Sequence, residues 1–170
     1  MIIVTLTWSE VLFAAQAGSM RRVQGMKYNR TQFYGGGPSA DSLWQIDAIA
    51  CLGEMALAKH LDRFWSASIG DVTAADIGTF YQVRATEWAS GRLMLHDRDK
   101  DEMPYVLARV RENTVTLVGW VYGHEGKRQE YWTNPQANRP ERFAYFVPND
   151  VLHDMTTIPR DTPMQDEAAQ

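Results

Sequence analysis

A chain of 170 residues with 45% hydrophobic and 22% charged residues has the size of one ordinary domain and enough apolar side chains for a real core. Its formal net charge of -4 argues against coating nucleic acid by bulk attraction, although a local basic groove is compatible with that total. The lone Cys51 excludes a disulfide within the chain, and no apolar stretch approaches the ~20 residues of a membrane helix. The opening segment also lacks a basic secretory leader, so a cytoplasmic location is the expectation.

Ile2 to Leu6 reads as a short apolar strand. Ser9 is the expected N-cap of a following helix, with Val11, Leu12, Ala15, Met20 and Val23 at helical spacing and Gly18 and Gly25 weakening it. Asn29 to Ser39, with Gly35-Gly36-Gly37-Pro38, is a loop. No Gly-Lys-Ser/Thr follows, which argues against a phosphate-binding P-loop and for a flexible connection. Ser39 then opens the clearest helix, running to about Leu61 with Trp44, Ala48, Cys51, Leu52, Met55 and Ala58 on its packing side. Cys51 in that run reads as a small buried hydrophobe.

Beyond this helix the period changes from helical to alternating. Residues 74 to 77, Thr79 to Thr86, Arg92 to His96, Tyr105 to Arg111, Thr114 to Tyr122 and Phe143 to Val147 read as strands rich in Val, Tyr, Phe and Thr, with Asn113 as a hairpin turn. Gly123 to Arg142 is polar and turn-rich and is expected to wander over the surface. From about Thr156 no core pattern remains. Residues 1 to 155 are therefore expected as one domain and residues 156 to 170 as a disordered tail.

Three pieces carry chemistry. Glu54 has only apolar neighbours one helical turn away, Ala50, Cys51, Leu57 and Ala58. A carboxylate there either has a cation waiting for it or snorkels out, because desolvating it alone costs several kcal/mol. Asp76 ends a short apolar stretch before Gly78, where an aspartate commonly bonds turn backbone. Strand alternation puts Gln82 and Arg84 on one face and Tyr81, Val83 and Ala85 on the other.

Taken in order, helical Glu54, strand-ending Asp76 and the Gln82-Val83-Arg84 strand resemble the PD-(D/E)XK nuclease superfamily over roughly residues 42 to 122. Gly53-Glu54-Met55-Ala56, Ala75-Asp76-Ile77-Gly78 and Gly119-Trp120 look like uncharacterised nuclease-like proteins of bacteriophages. The resemblance implies a restriction-endonuclease-like α/β core, a mixed, largely antiparallel sheet packed by the long helix. It further implies metal-dependent hydrolysis of DNA phosphodiester bonds in a bacterial host's cytoplasm. Glu54, Asp76, Gln82 and Arg84 would be the catalytic set, gathered at one site. Glu54, Asp76 and Gln82 would hold Mg²⁺ or Mn²⁺, and Arg84 would stand where the family has lysine.

Two departures keep a second reading open, a fold that no longer cleaves and binds nucleic acid or a protein partner. Gln82 replaces a carboxylate and ligates Mg²⁺ more weakly. Arg84 can clamp phosphate but cannot act as a base near neutral pH. DNA is the implied partner, self-association as a homodimer is allowed, and a protein with no nucleic-acid role is a third reading.

Other groups carry less. Basic residues collect at Arg21, Arg22, Lys27 and Arg30 and at Lys127, Arg128, Arg139 and Arg142, which reads as solvated charge unless a groove gathers them. The four histidines show no zinc spacing, and no serine sits in a nucleophile elbow. Asp97, Asp99 and Asp101 alternate like the start of a calcium loop but lack its glycine, so a solvated acidic turn is expected, with a carboxylate reaching the site as the alternative. Trp120, Tyr122, Tyr131 and Trp132 suit the core and rim of a sheet, or a stacking surface for single strands.

Overall fold

The computed structural model describes residues 1–28, 40–69, 75–134 and 143–160. The Gly35 to Gly37 loop, Ser39, Arg30, Arg139, Arg142 and residues 161–170 lie outside them. Strand β1 (Ile2–Thr5) leads into helix α1 (Trp8–Lys27), followed by helix α2 (Ala40–Leu61). Thr7, not Ser9, caps α1: its hydroxyl accepts from Glu10 N–H at 3.2 Å while Glu10 Oε2 accepts from Thr7 N–H at 2.6 Å. The reciprocal box needs a carboxylate three residues on, which Thr7 has and Ser9 lacks.

The two helices run antiparallel, with Lys59 bonded to Glu10 near one end and Arg22 to Asp47 near the other. The apolar residues at helical spacing in α1 do not all face inward. Ala14, Ala17 and Gly18 are buried, whereas Leu12, Met20 and Val23 are exposed. Small residues won the inner face because the backbones nearly touch: a Cβ on Gly18 would lie 2.7 Å from Ala48 Cα. On α2 the buried apolar positions include Leu43, Cys51, Leu52, Ala56, Leu57 and Ala58, while Trp44 is more exposed than expected.

Strands β2 (Gln82–Thr86), β3 (Leu93–Leu95), β4 (Pro104–Arg111) and β5 (Thr114–Tyr122) follow. A mixed four-stranded sheet has the order β1-β5-β4-β2, in which β2 is parallel to β4 and the other pairs are antiparallel. The β4–β5 hairpin turns at Glu112 and Asn113, and the Asn113 amide ties the turn to Leu6. Of the strand expected at 74 to 77, the described part holds only an isolated bridge from Ile77 to Tyr81. Gly78 at φ 59° turns the chain there and delays β2 to Gln82 rather than Thr79.

A separate antiparallel sheet, β3-β7-β6, is completed by β6 (Trp132–Thr133) and β7 (Ala144–Val147). The alternation of β4 explains how the two sheets and the helices are layered. Val106, Ala108 and Val110 join the core under α1 and α2, and Tyr105 and Leu107 join a second cluster with Leu93, Leu95 and Val147. The molecule is thus a mixed α/β structure with helices on one face of the main sheet.

Two expectations for the C-terminal third are corrected. Gly123 to Asn134 does not merely wander: helix α3 (Gly123–Gly126) has both its terminal glycines buried, and a 3-10 turn at Gln129–Tyr131 leads into β6. Residues 156–160 are packed rather than frayed. Ile158 is buried, and Tyr81 Oη donates to Pro159 O at 2.7 Å. Among the described residues no helix is long and apolar enough to cross a membrane.

Candidate functional site

Among the described residues Glu54 is the buried charged residue of the core, 3% exposed, and a cation does meet it there. Arg21, reaching across from α1, grips it with both arms, Nη1 to Oε1 at 2.5 Å and Nη2 to Oε2 at 2.7 Å. Trp65 Nε1 donates to Oε2 at 3.0 Å, and Arg21 Nε donates to Ser68 O at 2.8 Å. The fork leaves the carboxylate compensated within the protein, as a buried ion requires. Burial opposes the Arg21 charge, and Glu54 more than restores it, so the guanidinium is held above its usual range.

Asp76 behaves partly as an ordinary turn aspartate, with Oδ2 accepting from Val83 N–H at 2.7 Å. Its surroundings are less ordinary. Burial and then the nearby Glu54 charge push its carboxyl up to about 7, against the opposing pull of Val83 N–H, Arg84 and Arg21. Cys51, fully buried beside this group, has its thiol pushed up to about 12 by burial and by Glu54. It is the inert small hydrophobe expected.

Gln82 and Arg84 share one face of β2, as alternation requires. A Cβ on Gly53 of α2 would meet Val83 Cγ1 and Ala85 Cβ at 3.2 and 2.9 Å, so α2 covers the other face. Arg84 Nη2 donates to both carboxylate oxygens of Asp99 at 3.0 Å, and the guanidinium lies 5.1 Å from the Tyr105 ring centroid. A long contact of 3.4 Å joins Arg84 Nη1 to Gln82 Oε1.

The expected single site is therefore divided by the sheet. Glu54 lies with Arg21 and Trp65 on the helical side, Gln82 and Arg84 lie with Asp99 on the opposite side, and Asp76 feels the charge of both groups. Pleating is the cause, because a helix resting on Val83 and Ala85 cannot share a face with Gln82 and Arg84.

Asp99 corrects the picture of a solvated acidic turn. Its side chain is only 10% exposed and also accepts from His96 N–H at 3.0 Å. Lys127 holds the turn from within, with Nζ at 2.7 Å from Asp99 O, 3.3 Å from Asp97 O and 2.5 Å from Asp101 Oδ1. A protein ammonium thus serves the cluster of oxygens that a calcium loop would offer a metal.

Sequence reading missed Arg21 and Trp65 as partners of Glu54, whereas a carboxylate reaching the site from the 97–101 turn was the stated alternative and Asp99 is the one that meets Arg84. Arg21 carried a legible signal, since Ala14, Ala17, Gly18 and Arg21 follow one helical stripe. Among the basic candidates, Arg21 and Arg22 are tied to Glu54 and Asp47, so neither is a loose phosphate contact. Trp120 is buried against Tyr122 and His153, and Trp132 packs on Tyr145 and Phe143, as core and rim.

The donor set accommodates a hard cation only in part. Asp76 and Gln82 bring oxygen donors suited to Mg²⁺. Both oxygens of Glu54 already carry Arg21, and among the described residues no group of three or more His, Cys, Asp or Glu could hold a metal ion. No family model, curated protein or solved structure matches the chain.

Proposed function

We propose that the chain is a nuclease-like protein that hydrolyses DNA phosphodiester bonds with a divalent ion, built on a restriction-endonuclease-like core. The observation that carries this reading is Asp76 itself, a half-buried carboxylate whose Oδ2 accepts from Val83 N–H beside Gln82 and whose carboxyl is raised by burial and by the Glu54 charge, a penalty that a bound cation would relieve. Asp76 and Gln82 would hold Mg²⁺ or Mn²⁺, while Glu54, on the other side of β2 and gripped by Arg21, would act through its charge and not as a ligand. When bound, the ion supplies a water acidified toward neutrality and charge for the phosphate. Arg84, kept ionised beside Asp99, orients phosphate oxygens and stabilises their charge on the same face as Gln82. Arg21 and Trp65 fix the Glu54 carboxylate in place, which sets the field at Asp76.

A second reading is favoured by the closed pairs: Glu54 with Arg21, and Arg84 with Asp99, are both satisfied within the protein. In that reading the fold binds nucleic acid or protein without cleaving. Incubation of plasmid and single-stranded DNA with Mn²⁺ or Mg²⁺ separates the two. Nuclease activity is expected to require metal and to vanish in Asp76→Ala. Intact DNA, retarded on a gel without metal and released by salt, would instead establish the binding module.

A further inference from the structure

The solvent side of α1 is apolar for most of its length. Trp8 is 70% exposed and Leu12 60%, and Phe13, Met20, Val23 and Met26 are exposed by about half. Among the charges of α1, Lys27 alone lies on this face, at its C-terminal end, because Glu10, Arg21 and Arg22 lie on the other side of the helix and pair with Lys59, Glu54 and Asp47 of α2. A soluble helix ordinarily shows the reverse arrangement, with polar residues outward.

We infer that this face of α1 binds the same face of a second copy of the chain, forming an isologous, antiparallel helix pair centred on Gln16. Three observations select a second copy over another occupant. First, the face is self-complementary about Gln16. Positions equally far from it meet across a two-fold axis, so that Leu12 of one copy faces Met20 of the other, Ser9 faces Val23, and Trp8 faces Gln24 beside that Val23. Second, that end of the face carries a groove of about 230 Å³ lined by Ser19, Met20, Val23, Gln24 and Ile69, at the level where the other copy's Trp8 arrives. Third, the area is adequate. Six large side chains offer on the order of 600 Å² of apolar surface, and Ser9, Gln16 and Ser19 beside them bring the total near the ~800 Å² per partner of a standard interface. At the axis the Gln16 amides of the two copies can donate to and accept from each other, which fixes the register.

The test uses the full chain. Sedimentation or light scattering at micromolar concentration is expected to give twice the 19.4 kDa chain mass. Leu12→Glu with Met20→Glu should give the monomer mass while leaving far-UV circular dichroism and the melting temperature of the fold intact. Gln16→Cys supplies a readout that does not depend on tolerating new charges. Helices packed at ~8–10 Å bring facing Cα atoms within about 3.4–5.4 Å, the upper part of which suits a disulfide, so the variant should oxidise to a covalent dimer while the wild type, whose Cys51 is buried, should not. A monomeric wild type throughout the range, a dimer that survives the double glutamate change, or no cross-link in Gln16→Cys would each overturn the proposal. Flotation of a monomer with phosphatidylcholine vesicles would overturn it in favour of a lipid surface.

Discussion

The Asp76 carboxyl is the group whose titration couples most directly to the candidate site. Its folded pKa of about 7 lies above the ordinary 3.8, so the native state holds the proton more tightly than the unfolded chain does. The stability this contributes is present at acidic pH, declines as pH rises between about 4 and 7, and is gone above that window. Asp76→Asn keeps an acceptor for Val83 N–H and removes the charge. Its stability relative to wild type should therefore increase from pH 5 to pH 8, by at least about 1 kcal/mol, in urea denaturation at the two pH values. The Arg21–Glu54 pair leads to a prediction of the opposite kind. Arg21→Met or Glu54→Leu alone leaves one charge buried and should cost ~3–5 kcal/mol, whereas the double replacement should cost far less than their sum. A double-mutant cycle by chemical denaturation measures this. Sequence identified Glu54 as anomalous because its helical neighbours are apolar, but the identity of its cation depended on where a second helix crosses.

That crossing is set by Gly18. In an exposed helix Gly→Ala stabilises by ~1 kcal/mol, and Gly25 should follow this rule because a Cβ there meets nothing within 4 Å. At Gly18 the sign reverses, since the added carbon would strike the backbone of Asp47 and Ala48, and Gly18→Ala should destabilise by ~1–3 kcal/mol. Thermal melts of the two variants, with opposite shifts, test the contrast. The antiparallel helix pair also explains why large apolar residues of α1 at helical spacing stay exposed: periodicity marks a stripe but not which stripe faces inward, and small residues took the inner one to allow close approach. The 97–101 turn shows the same dependence on distant partners. Lys127→Met removes the ammonium that gathers its oxygens and should loosen Asp99 against Arg84, seen as faster amide exchange at Asp99 and His96 with the global fold retained.

Much of the architecture follows from local sequence. The β4–β5 hairpin, the long helix, the inward Cys51 and the alternation of Gln82 and Arg84 against Val83 each depend on residues within a few positions of one another, where hydrophobic period and turn chemistry act directly. The N-cap at Thr7 was equally local and was available from the spacing to Glu10. Contacts distant along the chain had no such local determinant. The parallel pairing of β2 with β4, the separate sheet formed by β3, β7 and β6, and the packing of Ile158 required the chain to return from afar. So did the division of the candidate site, with Glu54 and Arg84 on opposite sides of one strand. Sequence determined which residues are chemically out of place, because a carboxylate among apolar neighbours is conspicuous wherever it folds. Tertiary structure alone decided their partners, because a charge buried at low dielectric takes the counter-charge that packing brings within hydrogen-bond distance, and sequence separation does not limit that choice.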